Sequence, residues 1–347
     1  MSAFNRGTPR RRKSVPEGSF TATINDLAED GRGVARMDGK VCFITGALPG
    51  ETVSFRYTRV QKDVDEGELL DVLSASKDRV EPPCSHFGVC GGCSLQHLAP
   101  SAQIALKQQQ LVEALRRVGK LEAAEIAAPI TGPTLGYRRR ARLGVKFVDK
   151  RNTALVGFRE RASPFLAALE SCAILDPRVG QKLRVLGETI AGLSIRYHLP
   201  QIEVACAEPV ALVLRVMRPL TDADCGALLQ MAEREGFALY IQTSGPDTVQ
   251  PLQPPAPLLD YSPDGGADHL QFQPTDFIQI NAAVSQQAVR QALSWLAPYA
   301  GERVLELFCG LGNFSVPLAR AGARVTAVEG EASLVARARA NPERLGL

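Results

Sequence analysis

The stretch Val304-Leu305-Glu306-Leu307-Phe308-Cys309-Gly310-Leu311-Gly312-Asn313-Phe314 constrains this chain most. An apolar strand of residues 303–308 runs straight into two closely spaced glycines, and a helical pattern over 313–321 follows. A second strand, 324–328, leads to a helix over 331–340, and a helix over 282–296 precedes the whole. Strand and helix alternating through short turns is the pattern of a parallel, doubly wound sheet. The glycines stand where the backbone must turn sharply and come close to a ligand at a helix N-terminus. Asn313 is expected to cap that helix. Glu329, at the end of the second strand, is placed to accept hydrogen bonds from ribose hydroxyls. No third glycine completes a dinucleotide pattern, which favours S-adenosylmethionine over NAD, because S-adenosylmethionine has no pyrophosphate to cradle. Parallel sheets are covered by helices on both faces and normally continue for several more units. The chain stops at Leu347 after two such strands, so it reads as C-terminally truncated.

The preceding sequence has two other textures. Residues 19–75 hold short strand-like runs separated by glycines (20–24, 33–36, 41–44, 52–57 and 67–73), the spacing of a small β-barrel. Arg32, Arg36, Lys40, Arg56, Arg59 and Lys62 are spread over it, which suits an oligonucleotide-binding surface and equally a structural barrel. Residues 103–121 carry Ile104, Leu111, Leu115 and Val118 on one face of an amphipathic helix. From 137 to 243, strands at 141–147, 154–158, 202–207, 210–216 and 238–242 alternate with helices at 179–191 and 222–236, an α+β pattern. Four prolines between 249 and 259 mark a loop.

Charge and cysteines narrow the chemistry. The net charge is only +3, but Arg6, Arg10, Arg11, Arg12 and Lys13 cluster at the N-terminus and Arg138, Arg139, Arg140 and Arg142 in one strand. Local stripes of this kind neutralise phosphates; a basic tail and a solvated strand face are the plainer alternative. No run of about 18 apolar residues occurs, so the protein is expected in the cytoplasm, away from membranes. Eight cysteines in 347 residues are too sparse for a secreted disulfide scaffold. Cys84, Cys90 and Cys93, the last two separated by Gly91-Gly92, form one tight group, with Cys172 far downstream. Four thiolates of this kind suit an iron–sulfur cubane, whose sulfurs the glycine amides can approach. A zinc site made of the same four cysteines is the rival reading, although zinc modules more often use two C-x2-C pairs. A thioredoxin-like role lacks the surrounding βαβ pattern. Cys42, Cys206 and Cys225 read as core or surface residues. Phe277-Ile278-Gln279-Ile280-Asn281 reads as a strand with Gln279 and Asn281 on the face of Phe277, ending in a helix cap.

Together, residues 24–36, the block Cys84-Ser85-His86-Phe87-Gly88-Val89-Cys90-Gly91-Gly92-Cys93, the Phe-x-Gln-x-Asn strand and the Leu-Phe-Cys-Gly-x-Gly-Asn-Phe turn resemble the bacterial 23S ribosomal RNA uracil-5 methyltransferases. The resemblance runs from about residue 18 to the end and implies a multidomain protein. Its parts would be a TRAM/OB-like barrel at 16–76 behind a disordered basic tail at 1–15, and an α+β RNA-binding domain with the Fe–S loop at 77–265. An incomplete α/β SAM-dependent methyltransferase domain would occupy 266–347, with the 103–121 helix packed on it. The resemblance further implies that Cys84, Cys90, Cys93 and Cys172 ligate a [4Fe-4S] cluster that shapes the RNA-binding region. It also implies that Gln279, Phe308, Asn313 and Glu329 contact S-adenosylmethionine, with 23S ribosomal RNA as the partner of a monomer.

The chemistry of such an enzyme follows from its substrate. C5 of uracil is a weak nucleophile, so a thiolate adds at C6, the resulting enolate attacks the sulfonium methyl, and a base removes the C5 proton. In the family both groups map beyond Leu347, and the chain as given is expected to be inactive. Cys309, in the cofactor turn, is not their substitute. The alternatives are a noncatalytic iron–sulfur RNA-binding protein and a zinc-stabilised RNA-binding module.

Overall fold

The computed structural model describes residues 14–347, so the basic cluster at Arg6 to Lys13 lies outside the described residues. The chain divides into two compact units, the first ending at Ala127 and the second running from Ala128 to Leu347. In the first, β1 (Phe20–Thr23), β2 (Asp26–Leu27), β3 (Gly33–Met37), β4 (Lys40–Thr45), β5 (Thr52–Val60) and β6 (Val64–Ser74) form one sheet in the order β1-β5-β6-β4-β3-β2. Only β4 and β6 run parallel. Period-two alternation turns Val53 and Phe55 of β5 inward, onto Ala22, Ile24, Ala35, Cys42 and Ile44. Gly67 lets β6 cross Phe55, because a Cβ there would lie 2.5 Å from that ring.

The cysteine segment is an excursion closed at its base. The backbones of 78–80 and 97–99 pair through Val80 N–H to His97 O at 2.9 Å and Ala99 N–H to Asp78 O at 2.8 Å. Helix α1 (Pro100–Arg117) follows, starting three residues earlier than its apolar pattern predicts and stopping before Val118. Ala102 and Leu106 rest on Leu27, Leu48 and Leu98, but no α1 residue is buried. By contacts, the cysteine loop and α1, which the sequence pattern joins to the central domain, fall in the first unit.

The second unit is built on β7 (Arg140–Val148), β8 (Thr153–Gly157), β9 (Gln201–Cys206), β10 (Val210–Arg215), β11 (Phe237–Gln242) and β12 (Gln250–Pro251), in the order β12-β11-β10-β9-β7-β8. The helices α2 (Pro177–Gly180), α3 (Leu183–Ala191) and α4 (Asp222–Glu235) accompany it. Gly187 brings α3 against β8, where a Cβ would sit 2.3 Å from the Ala154 carbonyl oxygen. A reciprocal Thr221–Asp224 capping box starts α4, and Gly236 at φ +75° stops it.

Strands β9 and β10 are buried on both faces. One face packs Ala205, Val213 and Tyr240 against Tyr261 of β13 (Asp260–Tyr261), Leu270 of β14 (Leu270–Gln271), Ile278, Leu311 and Val316. This continuous core carries the remaining elements: α5 (Ala282–Leu296), β15 (Arg303–Leu307), α6 (Ser315–Arg320), β16 (Arg324–Val328) and α7 (Ala332–Arg344). β15 and β16 pair in parallel, as the alternation predicts. Asn341 of α7 is buried and donates to Gln271 O and Leu311 O at 3.2 Å each, pinning α7 to β14 and the glycine turn.

Candidate active site

The loop between β15 and α6 is held by its own backbone and by one carboxylate. Cys309 N–H donates to Val328 O at 3.1 Å, and Gly310 N–H donates to Glu329 Oε2 at 3.0 Å. Gly330 and Glu331 N–H groups donate to Oε1 of the same carboxylate at 2.6 and 3.1 Å. The Glu331, Gly310 and Gly330 amides hold this carboxyl below its ordinary value, so Glu329 is ionised at neutral pH and fastens the ends of both strands. Gly310 and Gly312 take φ +57° and +94°, conformations open to glycine.

Phe308 also sits at φ +59°, and its ring is 88% exposed at the strand end. A bulky residue in the left-handed region costs about 1–3 kcal/mol and persists where its surroundings enforce it. The turn thus presents a flat apolar ring next to an anchored carboxylate. Glu306, two residues back along β15, is pushed up by burial against a hydrogen bond from Ser315. Cys309 is buried, and burial with the charges of Glu306 and Glu329 pushes its thiol up, so it makes no nucleophile.

Two local expectations are corrected. Asn313 does not cap α6: the helix begins at Ser315 after a turn, with Phe314 as N-cap residue and no side-chain cap. Asn313 Oδ1 instead accepts from the Tyr261 hydroxyl at 3.4 Å. Phe-x-Gln-x-Asn forms no strand: its one ladder contact is a single bridge from Asn281 to Arg138. Arg139 N–H donates to Ile280 O at 3.0 Å and Arg139 Nε to Gln279 O at 2.7 Å, while Asn281 caps α5 through Val284 N–H. Ile278 points into the core, leaving Phe277 and Gln279 exposed on the other side. Gln279 and Asn313 are therefore connected through Arg139 and Tyr261, and Asn313 lies in the same turn as Phe308 and the Glu329 clamp. Nothing in the pattern around Tyr261 announced its part in this. Arg139 was visible only as one of a basic run.

Beside Phe277 opens a groove of about 960 Å³, whose walls carry Arg142, Arg215 and Arg337 together with Glu203, Asp247, Asp276 and Glu331. Guanidinium donors next to an exposed aromatic ring are groups that take single-stranded nucleic acid. Burial lowers the Arg140 guanidinium, opposed by Glu203, to which Arg140 donates at 2.9 Å. Arg142 meets the other oxygen of Glu203 at 3.0 Å.

Of the candidate metal ligands, Cys84, Cys90 and Cys93 stand half-exposed in the closed loop of the first unit. His86 O accepts from Cys90 N–H at 2.9 Å, and Gly92 N–H points at Cys90 Sγ at 3.4 Å, an amide-to-sulfur contact of the sort that supports a metal-bound thiolate. Cys172 lies in the second unit, its N–H donating to Gly180 O at 2.8 Å; a Cβ on Gly180 would come within 2.4 Å of Cys172 O. Among the described residues, no three His, Cys, Asp or Glu side chains are gathered as a metal site. Cys42 and Cys206 are buried, and burial above all pushes their thiols up to about 11 and about 12. Among the described residues, no helix is long and apolar enough to cross a membrane.

Comparison with known proteins places these features in one group. A family described as tRNA (Uracil-5-)-methyltransferase matches residues 265–345, and the TRAM domain matches residues 19–70. The 23S rRNA (uracil(1939)-C(5))-methyltransferase RlmD of Alkalilimnicola ehrlichii is 46% identical over 340 residues, 97% of this chain and 76% of the relative. That of Nitrosococcus oceani is 49% identical over 333 residues, 95% and 74% of the two chains. The fold is that of the Pyrococcus abyssi tRNA (uracil-54, C5)-methyltransferase crystallised with S-adenosyl-L-homocysteine. The TM-score is 0.69 at 19% identity, covering 94% of this chain and 77% of that one.

Proposed function

The chain belongs to the family of 23S ribosomal RNA uracil-C5-methyltransferases, and from that premise we propose that its glycine turn holds the S-adenosylmethionine whose methyl group goes to C5 of a uridine in 23S ribosomal RNA. In this reading Gln279, Phe308, Asn313 and Glu329 hold the cofactor. Phe308 offers its ring to the adenine face, and Glu329 accepts from a ribose hydroxyl with the one lone pair its three amides leave unused. The observation that carries the reading is the exposed Phe308 ring, held at positive φ on a turn clamped by Glu329. The RNA meets the barrel and the groove beside Phe277, in the cytoplasm, with the protein as a monomer. A noncatalytic RNA-binding protein would have no use for the cofactor turn, which favours the enzyme over that alternative. Titrating S-adenosylmethionine into the protein is expected to reveal one saturable site that NAD does not compete for. An absence of binding, or equal competition by NAD, would overturn the reading.

Cys84, Cys90, Cys93 and Cys172 are proposed to ligate a [4Fe-4S] cluster. Three half-exposed thiol positions on a loop closed at its base, with an amide already aimed at one sulfur, support Cys84, Cys90 and Cys93 as donors, and Cys172 joins them on the resemblance alone. Bound there, the cluster serves to order the RNA-binding surface rather than to transfer electrons. Anaerobically purified protein is expected to be brown and to hold about four irons per chain. Cys90→Ser is expected to lose most of that iron and the colour. A colourless wild-type protein with stoichiometric zinc would replace the cluster with a zinc site.

A further inference from the structure

We propose that Tyr261 and Arg139 are positioning residues that set the two sides of the cofactor site against each other, Tyr261 by orienting the Asn313 amide and Arg139 by holding the Gln279 backbone. This inference rests on the reading of Gln279 and Asn313 as cofactor contacts.

The two residues form a single stack through the core. Tyr261 is buried, fixed by the short β13–β14 pair and by an edge contact to Phe272 with ring centroids 5.9 Å apart. Its hydroxyl emerges at Asn313 Oδ1, 3.4 Å away. On its face lies the Arg139 guanidinium, 4.7 Å from the ring centroid. Arg139 forms no salt bridge among the described residues; its Nε is spent on the Gln279 carbonyl at 2.7 Å. A guanidinium without a carboxylate partner gains most of its local stabilisation from the aromatic face and the carbonyl dipole. Displacing either partner therefore moves the other.

The amide of an asparagine side chain has two polar ends, one accepting and one donating. A hydroxyl that donates to Oδ1 leaves the NH₂ group as the end offered to a ligand. Without that hydroxyl the amide is free to rotate, and a fraction of the molecules present the wrong end. Arg139 acts on the main chain of Gln279, so its effect is on where that side chain starts rather than on its chemistry. Neither residue meets the cofactor in this scheme, and both act through residues that do.

The test is a double-mutant cycle on S-adenosylmethionine affinity, measured calorimetrically on the full chain. Tyr261→Phe keeps the ring and its packing, so thermal unfolding is expected to stay near that of the parent while the dissociation constant rises about three- to tenfold, the effect of one lost neutral hydrogen bond. In an Asn313→Ala background the same change is expected to have no further effect, because there is no amide left to orient. Arg139→Ala is expected to weaken binding and to be non-additive with Gln279→Ala. Additive effects, or an unchanged affinity for Tyr261→Phe when Asn313→Ala alone weakens binding, would show Tyr261 to be ordinary core and overturn the proposal. If Asn313→Ala and Gln279→Ala both bind the cofactor normally, the assignment of the cofactor contacts fails, and the positioning role fails with it.

Discussion

Replacing Glu329 by alanine is expected to raise the dissociation constant for S-adenosylmethionine by about 10- to 100-fold, the range for losing a charged acceptor. Two losses combine in this change. In the proposed site the carboxylate is the acceptor for a ribose hydroxyl, and it also gathers the Gly310, Gly330 and Glu331 amides that hold the glycine turn beside the end of β16. Without it, the positive-φ conformations at Phe308, Gly310 and Gly312 lose the partner that enforces them. Glu329→Gln keeps one acceptor oxygen and loses the charge, so it is expected to fall between parent and alanine. The sign of the pH effect follows from the amides, which place the carboxyl below its ordinary 4.5. The interaction is fully present above that value and disappears as pH falls through the lower folded one. Calorimetric titration at neutral pH measures the main effect. An alanine variant within twofold of the parent would remove Glu329 from the site.

The second large effect concerns the six-stranded sheet of the first unit. Arg79→Ala is expected to destabilise the first unit by about 3–5 kcal/mol, the usual consequence of stranding one member of a buried ion pair. Glu51 is fully buried at 0% exposure and accepts from Arg79 Nε and Nη2 at 2.6 and 2.8 Å, Leu48 N–H at 2.9 Å and Ser76 N–H at 3.3 Å. Burial pushes this carboxyl up, but the bonds from Arg79, Leu48 and Ser76 outweigh it and leave the carboxyl below 4.5. Its contribution is therefore complete above 4.5 and is lost as pH falls through the folded value; the alanine variant loses it at neutral pH. Hydrogen exchange of the β5 amides under increasing urea follows this unit separately from the second. A change below about 1 kcal/mol would mean that the pair behaves like a solvated surface bridge. Arg79 also bridges by backbone to Leu98 at the base of the cysteine loop.

Most elements were legible in the sequence because their signals are local. Alternation along β5 and β7 and the strand–glycine–helix order around Gly310 each depend on residues within one or two turns of chain. The errors arose where a distant partner decided. Asn313 satisfies the local rule for a cap, yet its side chain is taken by Tyr261, 52 residues away. Phe-x-Gln-x-Asn alternates like a strand, but the segment beside it offers single backbone contacts and no ladder. The apolar stripe over 103–121 predicts a packed face, yet Leu111 in α1 and Val118 just after it are exposed. A periodic pattern specifies a face and leaves open what covers it.

The sequence by itself determined the chemistry on offer: which thiols stand close together in the chain, which glycines permit a ligand-facing turn, and which acid ends the second strand. These follow from covalent spacing and from φ, ψ preferences that a few neighbouring residues settle. Only the tertiary structure decided how the proposed cofactor residues are related. Gln279 and Asn313 are joined through Arg139 and Tyr261, which lie more than 120 residues apart in the numbering and meet at 4.7 Å. Contacts of that range are chosen by packing of the shared core around Ile278, Leu311 and Val316, and no local rule encodes them.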